Sequence, residues 1–450
     1  MTTSTPTPLW LRALVVGWLV MIPGNLFVVL ARNSAYIHGL LVDYLLPRLY
    51  AVEILGVAMA LGLVAVGQAR PAVRLARPGR SEWPRPDPLL VALTGLLLVR
   101  QWFSVNPLAS LTWLSWTVVT ALVGWVLVRR AELWHSTWMR AGLAGSVIVQ
   151  SLVGLGQVVT QRSVAGYWLL GEPTLRFQPG LALSSLGGAE RLLPYGTTAH
   201  PNVLAGFLAV ALLILATGWS RRRPATVSDW AAGGLIVVAL MLGGVVLALT
   251  QSISGWLVMV GGAVLWWGRR GYRPNAAGSG QRTAGGATKA AVVGLLAVLV
   301  VVPVTIAILA DVFPTSASLA RRARLQTAAG AVVGRYPLAG VGLNSFTAEL
   351  ENVVASPELR REVVRFVQPV HNVGWLVLSE GGVLAAWWLG RWWTLVSPRT
   401  RRNLVLTGAV LLPALSLDHY LWTLPAGQLT VVLALSWWSS QLGKRPSRSS

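Results

Sequence analysis

The chain returns repeatedly to apolar runs that, wound as helices, match the thickness of a bilayer's hydrocarbon core, and nothing constrains its fold more. Such runs are read at 9–30, 46–68, 88–104, 108–128, 141–160, 201–219, 229–248, 250–268, 289–310, 372–396, 403–417 and 424–442. They are continuous and lack the period-2 alternation of barrel strands, so backbone amides in hydrocarbon must bond within their own helix. The expected fold class is all-α: a polytopic helical membrane protein with about 12 transmembrane helices. A soluble domain with one core is excluded, because 54% of the residues are hydrophobic and 23 of 450 are Trp. One membrane domain over 1–450 carrying a small helical extracytoplasmic cap is the expected organisation.

Lys and Arg fall in every second loop: at Arg12 and within 70–85, 129–140, 221–223, 269–289, 391–402 and 444–448, opposed there by Glu82, Asp87, Glu132 and Asp229. The positive-inside rule puts those loops and both termini in the cytoplasm. The formal net charge of +22 therefore reads mainly as topology, with a secondary attraction to anionic headgroups. Nucleic acid is not expected as a partner, since the basic residues are split among short loops without interleaved aromatics. Met1 to Pro8 is polar and no small-residue cleavage site follows the first apolar run, which reads as a signal anchor. Cysteine is absent, so there is no disulfide and no thiolate metal site. The five His, at 38, 135, 200, 371 and 419, never stand at metal-ligand spacing, so neither a metal nor a cofactor is expected.

Two non-cytoplasmic loops are long, 161–200 and 311–371, and segments of that size outside a membrane usually carry function. The loop at 269–289 is Gly-rich, without a Walker or GxGxxG pattern, and reads as a flexible cytoplasmic linker. Both outer loops are basic against the topological trend. Arg162, Arg176 and Arg191 lie in the first; Arg321, Arg322, Arg324, Arg335, Arg360, Arg361 and Arg365 lie in the second. A guanidinium bonds phosphate oxygens in bidentate fashion, so a resident diphosphate is one explanation. The other is pairing with Glu349, Glu351, Glu358 and Glu362 in a chain that uses Arg almost throughout.

Leu319 to Gly334 reads as a helix ended by Tyr336-Pro337, with Arg321 and Arg324 on one face and Arg322 and Gln326 on the next. Gly340-Val341-Gly342 marks a tight turn. His371 follows Pro369 and immediately precedes the apolar helix that starts at Val373. The positive end of that helix disfavours imidazolium, and a neutral ring can accept a proton from a sugar hydroxyl. The alternative is a solvated His beside an Asn372 cap. Glu380 lies about 14 Å further along the same helix and on its opposite face, where a structural bond to a neighbouring helix is the common outcome. His200-Pro201-Asn202 opens another helix, as cap or as site. Asp418-His419-Tyr420 fills a short turn on the same side as His371, which makes one shared site plausible.

Arg322, then Pro337-Leu338-Ala339-Gly340-Val341-Gly342-Leu343-Asn344-Ser345-Phe346, then His371-Asn372 and Glu380-Gly381, resemble the O-antigen ligase and polymerase superfamily. Gly196 to Ala205 (GTTAHPNVLA) resembles its upstream motif, and together the likeness covers about 190 to 442. The resemblance implies a GT-C type, metal-independent, inverting membrane glycosyltransferase of the plasma (inner) membrane. It would take a glycan from undecaprenyl diphosphate and move it to a glycan, lipid or protein acceptor on the outer face. It implies His371 at the acceptor hydroxyl and Arg322 on the lipid diphosphate. Arg191, Arg324, Arg176, His200, Asn202, Asn372 and Asp418 are the remaining candidates for substrate binding. A polysaccharide polymerase of the same superfamily, or a flippase or transporter of polyprenyl-linked glycan, is the alternative. Where the family often has Ser-Arg-x-x-x-Leu, this chain has Ser252-Ile253-Ser254-Gly255-Trp256-Leu257. Arg191, Arg176 or Arg324 then supplies the second cation, or the substrate differs, or the activity is lost.

Overall fold

The computed structural model describes residues 7–68, 87–176, 181–184, 190–219, 226–271, 317–354, 356–365 and 367–442. The apolar run at 289–310 and most of the 269–289 loop lie outside the described residues. The described part is mostly helical. Its helices are α1 (Leu9–Met21), α2 (Ala51–Gln68), α3 (Pro88–Trp102), α4 (Pro107–Arg129), α5 (Thr137–Thr160), α6 (Pro201–Trp219), α7 (Val227–Leu249) and α8 (Ile253–Gly271). They continue with α9 (Ala317–Arg335), α10 (Phe346–Val353), α11 (Pro357–Arg365), α12 (Val373–Leu395), α13 (Pro398–Leu417), α14 (Tyr420–Thr423) and α15 (Pro425–Leu442). Among the described residues, α4, α5, α6, α7 and α12 are long and apolar enough to cross a membrane. Shorter apolar stretches lie in α1, α2, α3 and α8.

Helix starts follow their caps. Asp87, Asn106 and Ser397 each accept a first-turn amide, and each is followed by Pro, whose missing N–H costs nothing there. Thr226 and Asp229 form a capping box for α7. Arg391 is ion-paired with Asp87, tying the far end of α12 to the start of α3.

The first apolar run departs from expectation. The helix expected over 9–30 ends at Met21, because Pro23 cannot continue it and Gly24 turns the chain. The residues after the turn form strand β1 (Phe27–Val29), and β2 (Tyr36–Ile37), β3 (Leu40–Leu41) and β4 (Arg48–Tyr50) follow. β1 pairs antiparallel with β4, and β2 with β3. A third ribbon joins β5 (Leu183–Ser184) to β6 (Arg191–Leu192). The helical class stands, and among the described residues three small ribbons are added to it, all in connections between helices.

α6 sits at the centre of the bundle, against α5, α7, α8 and α15. Every residue from Val203 to Leu215 is buried, as a helix apolar on all sides requires. A second, smaller core joins α9 and α10 to the start of α12 through Leu325, Ala328, Val332, Phe346, Leu350 and Leu376. This is the cap, and it rests on the end of α12 that begins after His371.

The segment after α9 locks into α12 through a break in that helix. Gly382 has φ 61° and ψ −161°, a region in which L side chains are strained. The break frees backbone groups, which the 337–342 segment takes up. Val341 and Gly342 amides donate to the Ser379 and Glu380 carbonyls, and Val383 and Leu384 amides donate to Pro337 and Leu338. A Cβ on Gly382 would stand 2.5 Å from the Leu338 carbonyl. Gly382→Ala is therefore expected to cost about 1–3 kcal/mol from backbone strain alone, read as a fall of several degrees in thermal midpoint. Gly390→Ala, where an added Cβ meets nothing within 4 Å, serves as the control and should be neutral or stabilising. Equal midpoints for the two variants would refute the interlock.

Candidate functional site

Three connections converge at one end of the bundle, each held by side chains from below. Two glutamines of α5 grip the approach to α6. Gln157 Oε1 accepts the Tyr195 and Gly196 amides, both at 2.9 Å, while its Nε2 donates to the Gly196 carbonyl at 2.7 Å. Gln150 does the same for Thr197, accepting its amide at 2.9 Å and donating to its Oγ1 at 2.7 Å. This explains the polar GTTAHPN run physically: it is a backbone path fixed by buried amides, and it delivers His200 and Asn202 to the bundle end. His200 caps α6, its Nδ1 accepting the Asn202 amide at 3.1 Å.

The turn between α13 and α15 is fixed from two sides. Trp113 Nε1 donates to the Trp422 carbonyl at 2.8 Å, and Trp422 Nε1 donates to Glu380 Oε2 at 2.8 Å. Glu380 also accepts the Phe346 amide at 3.4 Å. Glu380 is therefore a brace between α12, the cap and this turn, as its depth on the helix led one to expect. His371 stands at the mouth of α12 above buried Val370, and Asn372 caps the helix by accepting the Trp375 amide at 3.0 Å.

These placements bring His371, Asp418 and His419 together, one ligand atom from each lying within 4.8 Å of the others. The His371 and His419 rings meet edge to face at 5.0 Å. Asp418 accepts the His419 amide on Oδ1 at 2.8 Å and the Asn202 amide group on Oδ2 at 2.7 Å. His419 Nδ1 is 2.8 Å from Thr423 Oγ1, whose proton can go to the His419 carbonyl at 3.3 Å. That assignment leaves Nδ1 as donor and Nε2 with the lone pair, 3.4 Å from the Tyr44 hydroxyl. Tyr44 arrives from the ribbon that follows α1, and Asn344 Nδ2 holds its carbonyl at 2.8 Å. Asp418 and His419 are buried, whereas His371, Asn202, Tyr44 and Arg322 are partly exposed around them and His200 is exposed.

Burial, and next the neighbouring His419, push the His371 imidazole well below its ordinary value; Arg322 and His200 push the same way and Asp418 opposes them. His419 is pushed down to about 4 by burial, against the pull of Asp418. His200 is lowered by burial, with Arg322 adding to it against Asp418. Burial would raise the Asp418 carboxyl, but His419, His371 and His200 outweigh it and keep the group below the usual carboxylate range. Burial raises the Tyr44 phenol. At neutral pH the centre is thus one carboxylate among three neutral imidazoles, with a guanidinium close enough to act on two of them. Such a set can take a proton, attract an anion at its Arg322 side, or ligate a metal.

Of the expected site residues, His371 and Asp418 come together, Asn202 is bonded to Asp418 with His200 two residues before it, and the Arg322 charge acts on His371 and His200. Asn372 stands next to it, yet both its polar atoms are used inside the protein, Nδ2 donating to the Ser416 carbonyl at 3.4 Å. Arg176 and Arg191 are exposed on the 161–200 loop, Arg191 opposite Ser184, and Arg324 is exposed on α9. No histidines stand at metal-ligand spacing along the sequence, yet the fold sets His371 and His419 together with Asp418. Sequence reasoning passed over Tyr44 and the inward role of His419. For His419 the signal was its place in the Asp418 turn; for Tyr44 there was none, since its partner lies at the other end of the chain. Among known protein families and curated proteins, none matches this chain.

Proposed function

We propose that the chain is a GT-C type membrane glycosyltransferase, akin to the O-antigen ligases, with about 12 spans and its site on the extracytoplasmic face of the plasma membrane. The observation that carries this reading is the meeting of His371, Asp418 and the Arg322 charge at one end of an apolar helical bundle. A polyprenyl tail fits among the apolar helices, and the diphosphate fits at Arg322. His371 takes the acceptor hydroxyl's proton as its oxygen attacks the anomeric carbon. The bond from that carbon to the diphosphate breaks, the electron pair leaves with undecaprenyl diphosphate, and the anomeric configuration inverts. Asp418 favours the imidazolium that forms, held in place for this by Asn202. No metal is needed for the step, because a diphosphate whose charge is met by guanidinium is already a good leaving group.

Purified protein in detergent, given undecaprenyl-diphosphate-linked glycan and a glycan or lipid acceptor without any ion gradient, is expected to release undecaprenyl diphosphate and form a glycosylated acceptor. Donor that crosses a liposome bilayer intact, with no release, would replace this reading with that of a flippase.

A further inference from the structure

The geometry points to a binding site for a borderline divalent metal ion of the Zn2+ type, formed by His371, Asp418 and His419. It goes beyond the transfer reading, whose chemistry uses no metal.

Two imidazoles and one carboxylate are a donor set that suits Zn2+, Co2+ or Ni2+ and does not suit Mg2+ or Ca2+, which take mainly oxygen. The three candidate atoms already lie within 4.8 Å of one another. Bond lengths of about 2.1 Å require only a modest contraction from there. The side chains are also held as metal ligands usually are. Thr423 occupies His419 Nδ1 and so leaves the lone pair on Nε2, whose hydrogen-bond neighbour is the Tyr44 hydroxyl at 3.4 Å. Asn202 and the His419 amide orient the Asp418 carboxylate and leave a lone pair on each oxygen.

An independent observation concerns His371. Its Nδ1 is buried and has no hydrogen-bond partner, a state that a ligand would relieve. Three protein ligands leave a position open for water.

A bound ion uses the single lone pair of the neutral His371 ring, whichever nitrogen holds it. The ion therefore inhibits transfer, if His371 is the base. That consequence rests on the proposed function; metal binding itself does not.

The test uses the full chain in detergent, stripped with a chelator and titrated with Co2+. Visible d–d bands of a four- or five-coordinate ion are expected, bleached by Zn2+ and unaffected by Mg2+. His419→Gln and Asp418→Asn should each weaken Co2+ binding at least tenfold, with thermal midpoints in chelator close to wild type, while His135→Gln should bind as wild type does. Absence of the bands in the wild-type protein would overturn the site, whatever the variants do. So would bands that persist equally in His419→Gln and His135→Gln. The measurement needs no donor and no acceptor, so its failure leaves the transfer reading standing, and loss of transfer leaves the site standing.

Discussion

His371→Ala is expected to lower glycan transfer by about 100-fold or more, the scale of a lost general base, while the protein is produced and folds as the wild type does. The expectation rests on position. His371 is partly exposed at the mouth of α12, beside a buried carboxylate that favours its protonated form once a proton has been taken, whereas the more exposed His200 has its Nδ1 engaged by the Asn202 amide. His419 cannot replace it, because that ring is buried and its Nδ1 is engaged by Thr423. Removing the ring leaves the helix capped, since Asn372 alone accepts the Trp375 amide. A stability effect should accordingly be small. Transfer should be followed as release of undecaprenyl diphosphate, in chelator, so that metal occupancy plays no part. Activity of His371→Ala within a few-fold of wild type, at an unchanged thermal midpoint, would reduce His371 to a neighbour of a helix cap.

The helices were readable because hydrocarbon leaves the backbone few options. An apolar run such as 108–128 or 229–248 becomes one helix, and the flanking Asn106-Pro107 and Thr226 with Asp229 mark its start. The run at 9–30 was misleading because Leu26 to Leu30 is as apolar as what precedes it, and hydropathy does not separate a strand at the bundle end from the last turns of a helix. Pro23-Gly24 carried the local stop signal. The motif glycines were legible as a turn but not as an interlock, because the partner of Gly340 and Gly342 is a break in α12 that only Gly382 permits. At the site, residues flanking helix ends could be placed on one side of the membrane, which made His371, His200 and Asp418 candidates together. Pairing across the fold could not be read. Tyr44 reaches His419, and Asn202 reaches Asp418, over separations that no local pattern records.

Replacing Arg322 by Lys is expected to weaken donor binding about tenfold, and replacement by Ala more, on the scale of one or two charge-assisted hydrogen bonds. Lys keeps the charge and loses the planar fork, so the step from Arg to Lys isolates the bidentate contact. The Arg322 charge lowers both His371 and His200, which makes it the cation to test first as a partner for the diphosphate. Ile253, at the position where the resembling family often has Arg, is 72% exposed between buried Ser252 and Ser254. A second cation would have to come from Arg191, Arg324 or Arg176, and each Ala variant should then be compared with Arg322→Ala. Arg360 and Arg361 provide the contrast. Both are exposed and donate to backbone carbonyls, Arg360 to Glu351 at 2.8 Å and Arg361 to Pro357 at 3.3 Å. Their removal should change binding by less than about 1 kcal/mol, as for other exposed charges. Affinity for a short-chain polyprenyl diphosphate glycan, measured in detergent at fixed salt, decides the matter. Equal affinities for wild type, Arg322→Lys and Arg322→Ala would remove the diphosphate clamp, and Ile253 would then mark a chain that keeps the bundle and the histidine cluster without the donor chemistry.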